Sequence, residues 1–362
     1  LKYKLKGGMH MELKNIDIYK RMNYYKVQGL GITIINNGSI KASEGFGVLQ
    51  AGTNNKVNNT SIFNACSISK FAATFLALKL VDDGILDLDE NVNDKLTTCM
   101  VPENKFTQNR KITLRRLLSH QAGFIDPDNS FSEYNTAQGI PTLLDLLEGR
   151  KSYYPEVAEV KYEPESSFVY SDLGFCIIEQ LIENASKKPF SKLMNELILQ
   201  PLNMKNSMIG YIIPEKKHNF ACGHNKDGIL LNDKYPIYPY LAAAGLWSTP
   251  TDLSSLVIEI INSLKGNGKL GISQKTINQM ITPQGCSKWT GLGVFLDYYG
   301  NKLEIYSLGW GIGYQCMMIA YPHLGTGAVI MTNTDLGVHQ TKGLIGEIVK
   351  ALSKQYGWPS QQ

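Results

Sequence analysis

Apolar and polar positions change rhythm twice along this chain. From Gly29 to Ile35 the sequence is a nearly unbroken β-rich run, and Asn36-Asn37-Gly38 separates it from a second run extending from Ser39 towards Val48. Two such runs flanking an Asn-Gly turn predict a hairpin. From Ser67 the spacing becomes helical. Residues 71–78 are apolar apart from Thr74, and Leu80 and Val81 lead to Gly84, a suitable helix stop. Shorter helices are predicted over 113–120 and 143–148. A longer one is predicted over 172–185, with Leu173, Cys176, Ile177 and Leu181 towards one face. This texture fades between Met208 and Gly223.

Beyond Gly223 the pattern is mixed. Thr251-Asp252-Leu253 has the composition of a capped entry to a helix carrying Leu256, Val257, Ile260 and Ile261. Strands are predicted over 291–298, 303–307, 314–320 and 327–332, punctuated by Tyr299-Gly300-Asn301 and Gly325-Thr326-Gly327. A last helix is predicted over 341–352. Strands at both ends with helices between them imply that the terminal segments share one sheet. The expected fold is mixed α/β of the α+β kind: an antiparallel sheet flanked by helices, with a mostly helical insertion. Residues 12–66 and 224–356 form the sheet domain and 67–223 the helical region, with the site in the groove between them.

Bulk properties narrow the function. A chain of 362 residues is long for one core, so one large domain or two closely packed ones is expected. The net charge of +4 is small, and the only basic cluster is Lys2, Lys4 and Lys6, so nucleic-acid binding has little support. No apolar run spans a bilayer; the best is broken by Lys79 and ends at Asp82-Asp83. The start lacks a signal-peptide core, and because it begins at Leu1, either Met9 or Met11 is an alternative natural start. Six scattered cysteines (Cys66, Cys99, Cys176, Cys222, Cys286, Cys316) form no Cys-x-x-Cys pair. That argues against a metal site or a disulfide framework and leans towards a reducing interior.

Three segments carry chemistry. In Ser67-Ile68-Ser69-Lys70 a helical spacing of three brings the lysine back towards the serine. A serine is a poor nucleophile until a base takes its proton, and a partly desolvated lysine is one such base. The alternative is a helix N-cap followed by a surface lysine. Cys66 is a second candidate nucleophile, four residues from Lys70. Tyr170-Ser171-Asp172 opens the 172–185 helix, where a phenol held near a cation can relay a proton; otherwise Tyr170 packs and Asp172 caps. Ser307-Leu308-Gly309-Trp310-Gly311-Ile312-Gly313-Tyr314 joins two predicted strands, either as a ligand-facing edge or as a glycine-rich loop. His120, alone at a helix end, is read as capping or packing.

In order and spacing these segments resemble the serine β-lactamase-like hydrolases, whose Ser-x-x-Lys signature is a known one. That family includes penicillin-binding proteins, class C β-lactamases, D-amino-acid peptidases and some esterases. The resemblance extends to GILDLDENV (84–92), ITLRRLLSHQAGF (112–124), AAAGLWSTPTDL (242–253) and GAVIMTNTDLG (327–337). It implies a β-lactamase/transpeptidase-like fold, Ser67 as the acylated nucleophile, Lys70 as its proton acceptor and Tyr170 as a second acid/base. It also implies an oxyanion hole from the N–H groups of Ser67 and Trp310, with Asp172, Ser307 and Gly309 lining the substrate. No metal or cofactor is implied.

Two departures shape the expectation. Asp172 stands where penicillin-binding members and class C β-lactamases carry Asn, and a carboxylate only accepts hydrogen bonds. Ser307-Leu308-Gly309 replaces Lys-Thr-Gly or His-x-Gly, so the cation that helps bind a substrate carboxylate is missing. The reading is a serine hydrolase that acts through an acyl-enzyme on an ester or amide, esterase-like or D-amino-acid-peptidase-like. The substrate is a small molecule or short peptide. The alternatives are a β-lactamase or penicillin-binding protein of weak turnover, or a non-catalytic ligand-binding relative.

Overall fold

The computed structural model describes residues 11, 13–128, 130–131, 139–150, 156–213 and 219–359. Lys2, Lys4, Lys6, Met9 and position 12 of the expected sheet domain lie outside them. Helix α1 (Ile18–Tyr24) leads into the hairpin β1 (Gly29–Asn36) and β2 (Ser39–Gly47), then the short β3 (Phe63–Asn64). Helices α2 (Ile68–Asp82), α3 (Leu114–Leu118), α4 (Leu143–Leu147), α5 (Asp172–Ser186) and α6 (Phe190–Met194) follow. Then come β4 (Met208–Ile209), α7 (Leu241–Ala244), β5 (Leu246–Ser248), α8 (Pro250–Ser263) and α9 (Gln274–Met280). The chain returns to strand with β6 (Phe295–Tyr299), β7 (Lys302–Gly311), β8 (Tyr314–Tyr321) and β9 (Thr326–Thr332), and α10 (Leu344–Tyr356) follows.

The main sheet has the order β2-β1-β9-β8-β7-β6, with every neighbouring pair antiparallel. First and last strands therefore meet at β1–β9, as strands at both ends of the chain imply. Both faces are covered, which is why β1 reads as continuous apolar sequence and does not alternate. Leu30, Ile32 and Ile34 pack with Ile345, Ile348 and Leu352 of α10 and with Ile18 and Met22 of α1. On the other face Gly31 lies against Pro250, and the Thr33 hydroxyl reaches Ser43 and Thr251. Helix α2 runs through the core beside this second face. Twelve of its fifteen residues are buried, the mark of a helix surrounded by protein.

Several boundaries differ from the sequence expectation. The strand expected from 291 begins at Phe295, because 291–294 closes a turn (Gly291 N–H to Val294 carbonyl, 2.9 Å). Gly293 there has φ +61 and presses on the Thr74 side chain. Strand β7 runs past Ser307 to Gly311; the glycines continue the pairing with β8, and only Ile312-Gly313 turns. Helix α8 starts one residue before Thr251, with Thr249 as its cap. A 3₁₀ turn occupies Gln340–Lys342, so α10 starts at Leu344 and ends at Tyr356, capped by the left-handed Gly357. Helices α1, α6, α7 and α9 and the small sheet β3-β5-β4 are additions.

Candidate active site

Ser67 sits at a sharp corner. The Asn64 side chain accepts the Cys66 N–H at 2.7 Å, and Cys66 adopts φ +48, a left-handed conformation uncommon outside glycine. The Ser69 hydroxyl braces the corner, donating to the Cys66 carbonyl at 2.6 Å and accepting from the Leu246 N–H at 2.9 Å. The chain then enters α2 with Ser67 at its N-cap. This turn sends the Cys66 thiol into the protein against Gly311, buried, while Ser67 lines a small groove with Lys70, Tyr170 and Ser307. Cys66 is thereby excluded as a groove nucleophile.

Lys70, one turn on, is buried, and its ammonium has three acceptors. These are Ser67 Oγ at 3.2 Å, Asp172 Oδ1 at 2.5 Å and the Ala243 carbonyl at 3.1 Å. Burial alone pulls an ammonium pKa down, but the Asp172 carboxylate and the Tyr170 phenol outweigh it and raise the Lys70 value. The Tyr170 ring lies beside this ammonium, its centroid 5.0 Å from Lys70 Nζ, and lines the groove with Ser67. Desolvation raises the Tyr170 pKa against the opposing pull of Lys70. At rest the site therefore holds a lysinium–aspartate pair and a neutral phenol. A desolvated, uncharged lysine, the simplest base one can draw from the sequence, is not the resting state.

Two residues that the sequence reading left out support this cluster. His120 is buried, has φ +56 and stacks on Tyr170 with ring centroids 4.4 Å apart. Its Nδ1 accepts the Ser171 N–H at 3.2 Å, and burial together with the nearby Lys70 lowers its pKa to about 3, so it stays neutral. Asp126 caps α5 from outside. Its carboxylate accepts the Ser171 hydroxyl (2.8 Å), the Asp172 N–H (2.6 Å) and the Leu173 N–H (3.2 Å). Burial and the Asp172 charge raise the Asp126 pKa to about 6. The histidine's place within ITLRRLLSHQAGF was the available signal for it. Nothing in the sequence around Asp126 links it to a helix start 46 residues away.

The remaining predicted residues lie on β7. Ser307 is buried and lines the groove with Leu308. Gly309 and Gly311 let the strand lie against the Ser67 corner: a Cβ at Gly309 would stand 2.4 Å from the Ala65 carbonyl, and one at Gly311 2.6 Å from the Tyr238 hydroxyl and 2.9 Å from Cys66 Sγ. The Trp310 indole is turned away to Asp335 Oδ1, 2.7 Å. Its backbone is better placed. The two-residue turns at 300–301 and 312–313 point odd-numbered N–H groups of β7 at β8 and even-numbered ones at β6. Pairing with β6 ends at Tyr306, so the Trp310 N–H projects from a free edge.

An antiparallel sheet covered on both faces, with a Ser-x-x-Lys helix buried beside it, is the β-lactamase/transpeptidase-like fold. The chain belongs to the beta-lactamase family, whose model matches residues 17–351. Among curated relatives it is 24% identical over 225 residues to Protein flp of Staphylococcus aureus (strain NCTC 8325 / PS 47), 62% of this chain and 42% of that protein. It is 24% identical over 267 residues to a putative D-alanyl-D-alanine carboxypeptidase of Salmonella gallinarum (strain 287/91 / NCTC 13346), covering 66% of this chain and 60% of that protein. The chain thus matches less than half the length of flp. Among solved structures, an octameric penicillin-binding protein homologue from Pyrococcus abyssi has a TM-score of 0.75 at 22% identity, covering 94% of this chain and 76% of that one. D-amino acid amidase from Ochrobactrum anthropi SV3, complexed with L-phenylalanine amide, has a TM-score of 0.73 at 22% identity, covering 94% and 97%. At these identities the structural likeness establishes the fold. Among the described residues no helix is long and apolar enough to cross a membrane.

Proposed function

We propose that the protein is a serine hydrolase that acts through an acyl-enzyme on an ester or amide. The observation that carries this reading is the contact of Lys70 Nζ with Ser67 Oγ at 3.2 Å, with the Tyr170 ring centroid 5.0 Å from the same ammonium. Ser67 Oγ attacks the carbonyl carbon. The developing oxyanion rests on the N–H groups of Ser67 and Trp310, an arrangement usually worth more than any other single effect in acyl transfer. The serine proton passes to Lys70 in its uncharged minority form, and Tyr170 relays it to the departing atom. Water then attacks the acyl-enzyme by the same route in reverse. In this reading 12–66 with 224–356 supplies the strand edge, and 67–223 supplies Ser67, Lys70, Tyr170 and Asp172.

Ser307 offers a hydroxyl where a cation would hold a substrate carboxylate, which favours esters and amides without that group over β-lactams. The lysinium–aspartate pair also supports a second reading, a penicillin-recognising protein that acylates and turns over slowly. Intact-protein mass after exposure to a penicillin, a nitrophenyl ester and a fluorophosphonate separates these. We expect a mass gain from the ester and the fluorophosphonate that disappears in Ser67→Ala. Labelling by the penicillin alone would favour the second reading, and no Ser67-dependent adduct from any reagent would remove both.

A further inference from the structure

The rings of Tyr170, His120 and Phe295 line one side of the groove, and Phe168 and Trp289 join them in one wall that extends beyond it. From Tyr170 the wall passes through His120 to Phe168, whose centroid is 5.7 Å from that of His120. It continues to Trp289, 4.2 Å from Phe168, and Phe295, 6.1 Å from Trp289. Trp289 is 45% exposed, although burying apolar surface is favourable by about 25 cal/mol per Å². The loop that presents it is fixed. The Trp289 carbonyl accepts from the Leu296 N–H at 2.9 Å, and the Gln284 N–H donates to the Thr290 carbonyl at 3.0 Å. From inside, the fully buried Gln121 amide donates to the Gln284 carbonyl (2.9 Å) and accepts from the Cys286 N–H (2.8 Å). An exposed indole on a backbone pinned in this way, its ring set against Phe168, is a stacking surface with little ordering cost when a ligand arrives.

The wall's position says which half of a substrate meets it. It begins at Tyr170, which hands the proton to the departing atom, and reaches Phe295 on β6, whose β7 partner Tyr306 lies four residues before Trp310. The group on the wall is the leaving group. Its charge is constrained as well. Among the described residues lining the groove the only side-chain cation is Lys70, and Asp172 holds it; Ser307 is neutral.

We propose that the leaving group is an uncharged aromatic alcohol or amine stacked on Trp289 and Phe168. This rests on the acyl-enzyme reading and deepens it. For an ester, a bond forms from Ser67 Oγ to the acyl carbon, the bond from that carbon to the leaving oxygen breaks, and the Ser67 proton, relayed by Lys70 and Tyr170, ends on that oxygen. The aromatic alcohol departs, and water cleaves the acyl-enzyme to the acid.

The test compares three acetate esters: benzyl, propyl and carboxymethyl. They share one acyl-enzyme, so differences in kcat/KM report acylation, while the leaving group is still bound. The expected benzyl-to-propyl ratio is about tenfold or more, within the range one well-placed apolar group gives. Trp289→Ala brings that ratio towards one, and Ser307→Lys raises the carboxymethyl ester relative to benzyl. Ser67-dependent turnover with equal rates for benzyl and propyl, or a ratio untouched by Trp289→Ala, overturns the proposal. Absence of turnover and of any acetylated Ser67 counts instead against the acyl-enzyme reading. In that event the wall is judged by saturation-transfer NMR with benzyl alcohol and propanol. A preference for benzyl alcohol that Trp289→Ala removes supports the wall, and no preference overturns it.

Discussion

At the scale of single residues the site's behaviour turns on which groups hold protons at rest. Asp172 accepts from Lys70 at 2.5 Å, and both its charge and its hydrogen bond raise the lysine pKa. If uncharged Lys70 is the base, activity climbs as pH rises towards that raised value. Asp172→Asn removes the anion, lowers the Lys70 pKa and moves the acidic limb of the pH–kcat/KM profile to lower pH. A shift of about one unit or more is expected from the loss of one adjacent opposite charge. A profile that stays in place would mean that Lys70 is not the titrating base. His120 follows a different logic. Held neutral at a pKa of about 3, it contributes no limb above that value, so His120→Gln is expected to change rate without changing the shape of the profile between pH 5 and 9.

At the scale of elements the site is built from ends and edges: the N-terminus of α2, the N-terminus of α5 and the open edge of β7. Asp126 ties down the second of these through the Ser171 hydroxyl and the N–H groups of Asp172 and Leu173. Asp126→Ala leaves buried donors without their acceptor, at a cost on the order of 1–3 kcal/mol. Urea unfolding measures that loss. A larger fall in kcat/KM than in stability is expected, because Tyr170 and Asp172 flank the freed turn; unchanged kcat/KM would place α5 under other control. Gly309→Ala acts on the third. Its Cβ would meet the Ala65 carbonyl at 2.4 Å, and backbone cannot yield as a side-chain tip can. Overpacking of this kind costs roughly 1–3 kcal/mol, read as a lower unfolding midpoint together with lost Ser67 labelling; wild-type labelling would show the β7 edge to be compliant.

Across the whole molecule three carboxyl groups share one bias. Burial raises the pKa of Glu179 to about 8, Glu304 to about 7 and Asp126 to about 6. Between its unfolded and folded values each group holds its proton more in the folded state, so stability falls as pH rises through that window. Glu179→Gln keeps an acceptor for the Ala242 N–H, now 2.8 Å from the carboxylate, and removes one titration. Relative to wild type the variant should gain in unfolding temperature at pH 8, with the difference shrinking by pH 5; parallel curves would assign the slope elsewhere. The global architecture was largely legible in the chain because long apolar runs leave few alternatives, as at β1 and α2. Less legible was whatever depends on distant partners. Helix α1 is short, with only Ile18 and Met22 buried. The left-handed Cys66 and His120 carry no mark in their neighbours, and Asp126 finds α5 only after folding. Ser67, Lys70, Tyr170 and Asp172 do meet in one cluster, while Trp310 brings its backbone rather than its indole. The two glycines of β7 carry one last implication, for how such a site diversifies over generations. Position 309 is closed to a side chain by the Ala65 carbonyl and position 311 is crowded by the Tyr238 hydroxyl and the Cys66 thiol, so under the acyl-enzyme proposal inherited changes of appetite fall to 307, 308 and the 289–295 loop. Under that proposal the groups that break a bond and the surface that chooses which bond to break occupy separate addresses, and the second can drift while the first stands still.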